Sequence, residues 1–242
     1  MVILRRVSFL LTAGCVILAG QPAFQAGAAK RVITPDPLLP VSGGMGVPSP
    51  AKSKQGDLTA RAVVFRAGSE TVAVVGLDLL GFPGVLADRA RALVPRLKPG
   101  QILIGSTHTH SAPDTYAYPD GKGGHTGSLA YMQLVAEQAA AAINDALDHM
   151  RPAELRIATG EAKGKIAYNY YAPDLYDRQA GVIQVRALDD RKTIATLVNY
   201  AVHPEVLGSE QGILSPDLVG PLYDRIEQAA GGLAIFMNGA QG

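Results

Sequence analysis

The sequence predicts an α/β fold: a layered domain with a mixed β-sheet and flanking helices, incomplete at the C-terminus. Three observations carry this expectation. Short β-rich runs alternate with stretches of helical periodicity, the pattern that sheet-and-helix layers require. The run Val72-Ala73-Val74-Val75-Gly76-Leu77 is apolar throughout, as expected of a strand buried on both faces. The last run, Leu233 to Met237, is of the same kind, yet only Asn238-Gly239-Ala240-Gln241-Gly242 follows it.

Taken from the start, residues 1–29 read as an export signal. Arg5 and Arg6 supply its charge, Val7 to Gly20 its apolar stretch, and Ala26-Gly27-Ala28 the small residues of a cleavage site. The apolar stretch is shorter than the roughly 20 residues of a membrane-spanning helix. The expected location is therefore secreted or periplasmic. The full chain carries a net charge of +1, and loss of the two arginines takes residues 30–242 to −1. Such a balance offers no electrostatic footprint for nucleic acid. Cys15 is the single cysteine and lies inside the signal, so a disulfide or a thiolate metal site is excluded from residues 30–242. Any metal there falls to His, Asp, Glu or Tyr.

Residues 30–56, with Pro35, Pro37, Pro40, Pro48 and Pro50, form an extended, turning segment that is either a tether or a rim over a site. Ala60–Arg66 and Thr71–Leu77 read as a β-hairpin turning at Ala67-Gly68-Ser69-Glu70. Val85–Leu97 has helical spacing and stops at Pro99-Gly100, and Ile102–Ile104 is a short apolar strand. Ser128–Met150 is the longest helix candidate, with Met132, Val135, Ala139, Ala142, Ile143 and Ala146 in its apolar stripe and Ser128 as N-cap. Strands follow near Leu155–Ala158, Val182–Ala187 and Thr193–Tyr200. Leu218–Ala229 is a helix and Leu233–Met237 a strand.

Chemistry gathers at the strand ends. Gly105-Ser106-Thr107-His108-Thr109-His110-Ser111 follows an apolar strand, and ligands in open α/β sheets collect at the carboxyl ends of strands. Imidazole is a good zinc ligand, although a lone His-x-His also suits ordinary strand-end histidines. Tyr200-Ala201-Val202-His203-Pro204 closes a second strand with a histidine, which favours a metal shared between the two ends. Asp78 closes a third strand and suits the orientation of a histidine or loop. Asp217 reads as a helix N-cap or first-turn acid. His149 lies near a helix C-terminus, and His125 in a glycine-rich loop.

Together these residues resemble the neutral, non-lysosomal ceramidase family, from about Val32 to Gly242. The resemblance rests on Ile33-Thr34-Pro35, on Gly44-Met45-Gly46, on Asp57-Leu58-Thr59-Ala60-Arg61-Ala62, and above all on Thr107-His108-Thr109-His110-Ser111-Ala112-Pro113. It implies that residues 30–242 are the N-terminal part of a zinc-amidase catalytic domain. His108 and His203 would be zinc ligands, and His110 would face the substrate amide and stabilise its oxyanion. The family's later ligands, a Glu and a Tyr, and its attacking serine lie beyond Gly242, so this chain is expected to be an inactive fragment of an active parent. The implied partner is ceramide, a related N-acyl lipid or another amide, with contact to a membrane surface. Tyr170 and Pro204 depart from the ceramidase pattern. Two alternatives remain at this level: an inactive secreted binding or scaffold protein of the same fold, and a zinc hydrolase of non-lipid amides.

Overall fold

The hairpin read between residues 60 and 77 is the spine of a large mixed sheet. A computed structural model describes residues 24–241 except 165 and 168. In it, β3 (Thr59–Ala67) and β4 (Glu70–Leu77) pair antiparallel through a two-residue turn. Gly68 takes φ 58° at the first turn position, where a side chain would be strained. β5 (Ile102–Ser106) adds parallel to β4. On the other side of β3 lies β1 (Phe24–Val32), then β6 (Arg151–Glu161), β7 (Gln179–Ala187), β8 (Thr193–Tyr200) and β10 (Leu233–Asn238), giving the order β10-β8-β7-β6-β1-β3-β4-β5. β10 and β8 are parallel. A small second sheet joins β2 (Ser53–Lys54) to β9 (Ile213–Leu214).

β1 overlaps the expected export boundary. A signal ending at residue 29 would remove the first six residues of this central strand. Ala26 there is fully buried, and a Cβ on Gly27 would sit 2.1 Å from the Ala146 carbonyl oxygen. Gly27 has no side chain because the α2 backbone lies directly on it, while Ala26 and Ala28 face the other side, toward Val185 and Ile235. The rest of the expected signal, residues 1–23, lies outside the described residues.

The helices cover the two outer faces. α2 (Leu129–Asp148) turns its stripe of Val135, Ala139, Ala142, Ile143 and Ala146 onto Ala60, Ala62, Val64 and Val75 of β3 and β4. Ser128 caps it by accepting from the Tyr131 N–H. α1 (Gly84–Ala92) packs beside α2 and is shorter than its periodicity suggests. Pro95 lacks the N–H a continuing helix needs and disfavours helical geometry at Val94, so the chain leaves the helix at Leu93. α3 (Val219–Ala230) packs on β10.

The eight strands do not lie flat. β10 packs face to face on β3, β4 and β5, and Val63, Leu197 and Ile235 form the core between the two layers. Gly76 and Gly105 permit this approach: a Cβ on Gly76 would lie 2.6 Å from the Phe236 carbonyl oxygen, and one on Gly105 2.5 Å from the Met237 methyl. The sheet thus folds back on itself, and its two ends in the strand order, β5 and β8–β10, meet. Their carboxyl ends open on the same edge. Among the described residues, no helix is long and apolar enough to cross a membrane.

Candidate metal centre

Beyond β5 burial alternates with a period of two. Thr107, Thr109 and Ser111 are fully buried, while His108 and His110 turn the other way and are half-buried. Two of the buried hydroxyls act as anchors. Thr109 Oγ1 donates to the Ser215 carbonyl at 2.9 Å, and Ser111 Oγ donates to the Gly208 carbonyl at 2.9 Å. His108 stands at φ 69°, a left-handed conformation that a non-glycine residue holds only when its surroundings impose it. They do. Its N–H donates to the Leu79 carbonyl at 2.9 Å, and its ring Nδ1 lies 2.7 Å from the Leu80 carbonyl oxygen. A carbonyl only accepts, so Nδ1 carries the proton and Nε2 is left with a free lone pair.

His203 arrives from the end of β8. The ring centroids stand 4.9 Å apart for His108 and His110, 4.8 Å for His108 and His203, and 5.5 Å for His110 and His203. One nitrogen from each ring lies within 4.8 Å of the others, and among the described residues this is the one cluster of three such side chains able to converge on an ion. His203 Nδ1 is 3.4 Å from His110 Nε2, and Glu205 Oε1 is 3.5 Å from His110 Nδ1. Burial pushes all three imidazoles below their ordinary value; His203 is lowered further by His110, while Glu205 partly opposes the effect on each. Neutral imidazole is the form that binds metal. The donor set therefore fits a borderline divalent ion such as zinc, with Glu205 and open space beside it.

The segment read as tether or rim is a rim. Ser42 bridges Ala112, and the Gly43 carbonyl reaches His110. A cleft of about 520 Å³ runs from His203 along Val202, Glu205, Val206, Tyr170 and Leu175. Its lip is apolar and open: Ile166, Tyr170, Leu175 and Val206 are all exposed. Tyr168, beside it in sequence, lies outside the described residues.

The remaining candidates separate. Asp78 is fully buried and does not join the cluster; Oδ2 accepts from the Thr59 N–H at 2.9 Å and hydroxyl at 2.6 Å, and Oδ1 from Tyr223 at 3.1 Å. Burial raises its carboxyl above the ordinary range. It braces the end of β4, two residues before the carbonyl that holds the His108 ring. Asp217, expected as a helix cap, instead accepts from the main-chain N–H groups of Val206 at 3.1 Å and Leu207 at 2.8 Å, besides Leu218. It ties down the loop after His203. His149 bonds the Asp145 carbonyl, and His125 pairs with Pro119 in its loop; neither enters the cluster. Glu205 and Asn238 stand at the centre without having been singled out by sequence reasoning. The signal for Asn238 was its place at a third strand end on the same edge.

No protein-family model matches the chain, and no curated protein matches it by sequence. Among solved structures it is similar to neutral ceramidase from Pseudomonas aeruginosa, with a TM-score of 0.74 and 16% identity over 92% of this chain and 39% of that one. It is also similar to a ceramidase complexed with C2, with a TM-score of 0.70 and 18% identity over 92% of this chain and 38% of the other. The chain thus spans less than two fifths of the ceramidase chains it matches. At these identities the likeness establishes the fold, and the fold is that of the ceramidases.

Proposed function

We propose that this chain forms the N-terminal part of an exported zinc-dependent hydrolase that cleaves the amide bond of ceramide or a related N-acyl lipid. The observation that carries the reading is the convergence of three neutral imidazoles at the carboxyl ends of β5 and β8, in a ceramidase-like fold. His108, through Nε2, and His203 would hold the metal. Bound there, zinc supplies positive charge that polarises a carbonyl. His110 would face the oxygen on which negative charge develops, and Glu205, 3.5 Å from its Nδ1, is placed to orient the ring. The apolar lip of Ile166, Tyr170, Leu175 and Val206 offers a surface for an acyl chain and for the edge of a membrane. On this reading the residues that complete the ligand set and supply the nucleophile belong to chain beyond Gly242.

The test is zinc content and hydrolysis of N-acyl-sphingosines of graded chain length, on this chain and on a form extended through its reading frame. Zinc in both forms with turnover only in the extended one is the expected result. Zinc with no lipid turnover transfers the reading to small amides. Absence of zinc from both forms overturns it in favour of a binding protein of the same fold.

A further inference from the structure

We propose that Asn238 is the positioning residue of this metal centre: its single side-chain amide ties the residue before His108 to the residue before His203. The inference rests on the metal reading above. Its ground is topological. β5 and β8 stand far apart in the strand order β10-β8-β7-β6-β1-β3-β4-β5, so no ladder of strand hydrogen bonds sets the distance between the two histidine loops. They meet only because the sheet folds over.

Asn238 ends β10 at that meeting point, half-buried. Its Oδ1 accepts from the Val202 N–H at 3.2 Å, while its Nδ2 donates to the Val202 carbonyl at 2.7 Å and to the Thr107 carbonyl at 2.9 Å. Nδ2 also lies 2.9 Å from Gln241 Oε1, so its two hydrogens serve three acceptors. The amide orientation follows from its partners, since only an oxygen can face the Val202 N–H and only a donor can face two carbonyls. Gly239 extends the tie by donating its N–H to the Tyr200 carbonyl at 3.0 Å. A second link, from the His110 N–H to the Pro204 carbonyl at 3.1 Å, crosses on the far side of the histidines but is main chain on both sides. Ser111 Oγ also reaches across, to the Gly208 carbonyl, but five residues past His203; Asn238 is the side chain that bonds the residue directly before each histidine, and through it their spacing can be altered without touching either. Partners that orient metal ligands are worth about 10- to 100-fold in metal affinity.

The decisive variant is Asn238→Asp, equal in size but with no donor to offer the two carbonyls. The control is Asn199→Ala. Asn199 bridges the same β8–β10 pair, its Nδ2 donating to the Met237 carbonyl at 2.9 Å, yet it bonds to neither histidine loop. Zinc affinity is measured by competition with a chromophoric chelator, and ligand geometry from the visible spectrum of the cobalt-loaded protein. N238D is expected to lose about 10- to 100-fold in affinity and to shift the cobalt bands. N199A is expected to keep both, whatever it costs in Tm. Native affinity and bands in N238D, or an equal loss in N199A, overturn the positioning role alone. Absence of zinc from the native chain and from its extended form alike overturns the centre itself and the role with it. Should N238D not fold, Asn238→Ser, which keeps one hydroxyl for three contacts, is expected to lose affinity too; native affinity in N238S overturns the role.

Discussion

The two strand ends that supply the histidines are built differently. After β5, hydroxyl side chains with no solvent exposure alternate with the imidazoles, and His108 is gripped by main chain and ring alike through Leu79 and Leu80. After β8, Val202 and Pro204 are buried but His203, Glu205 and Val206 are exposed, and the loop is held from outside by one carboxylate, that of Asp217. One side of the centre is preorganised by its own sequence. The other borrows its order from residues that arrive later in the chain. A site built this way has one fixed wall and one adjustable wall, and the cleft with its apolar lip lies along the adjustable one.

Substitutions can break that contrast. The largest effect is expected for His108→Ala and His203→Ala, each removing a ligand candidate. Both should reduce zinc affinity beyond the roughly 100-fold that a supporting residue is worth. Equal titration curves for either variant and the native chain would remove that histidine from the centre. Asp217→Ala comes next. It strips acceptors from three main-chain N–H groups, at about 1 kcal/mol or more each. Chemical denaturation should show a loss of about 3 kcal/mol, and hydrogen exchange should place the loosening at residues 206 and 207 and not on the 107–111 side. Uniform exchange across both loops would erase the distinction.

Gly27→Ala probes the scaffold under the fixed wall. The added methyl meets the backbone of α2, and overpacking of this kind costs about 1–3 kcal/mol. An unchanged Tm would mean that β1 does not pack as described. If the chain is exported, N-terminal sequencing of the mature form should find its start at or before Phe24. The smallest effect is with pH. The folded state holds the three imidazoles below their ordinary value near 6.5, so the unfolded chain binds more protons in the window beneath it. Metal-free protein should have its full stability above that value and lose it as pH falls through and below it. His203→Gln should flatten the profile in a Tm series; a slope of the same size in the variant would assign the effect elsewhere.

Much of this was legible in the sequence wherever local pattern and tertiary demand agree. The β3–β4 hairpin, α2 with its Ser128 cap, and the strand-end placement of His108, His110 and His203 follow from period and turn chemistry alone. β1 was not legible, because Gly27 must be bare where the α2 backbone crosses it, and small residues after an apolar stretch look like a cleavage site. β6 and β7 run further than their apolar cores because exposed hairpin strands need little apolar pattern. Asp217 and Asn238 were opaque for another reason. They act on main-chain groups of residues distant in sequence, and no periodicity records such a contact. Asp217 even sits where a cap should be, at φ 56°, and serves a different loop.

The folding-back of the sheet has a consequence for assembly. His108 and His203 are 95 residues apart in the chain and come together only when the outermost strands of the order close on one another. Closing so long a loop is entropically costly and belongs late in folding, after the local hairpins have formed. The centre is thus a seam and not a nucleus. An ion held across it would not start the fold but would fasten it, adding its binding free energy to the one state in which the seam is shut.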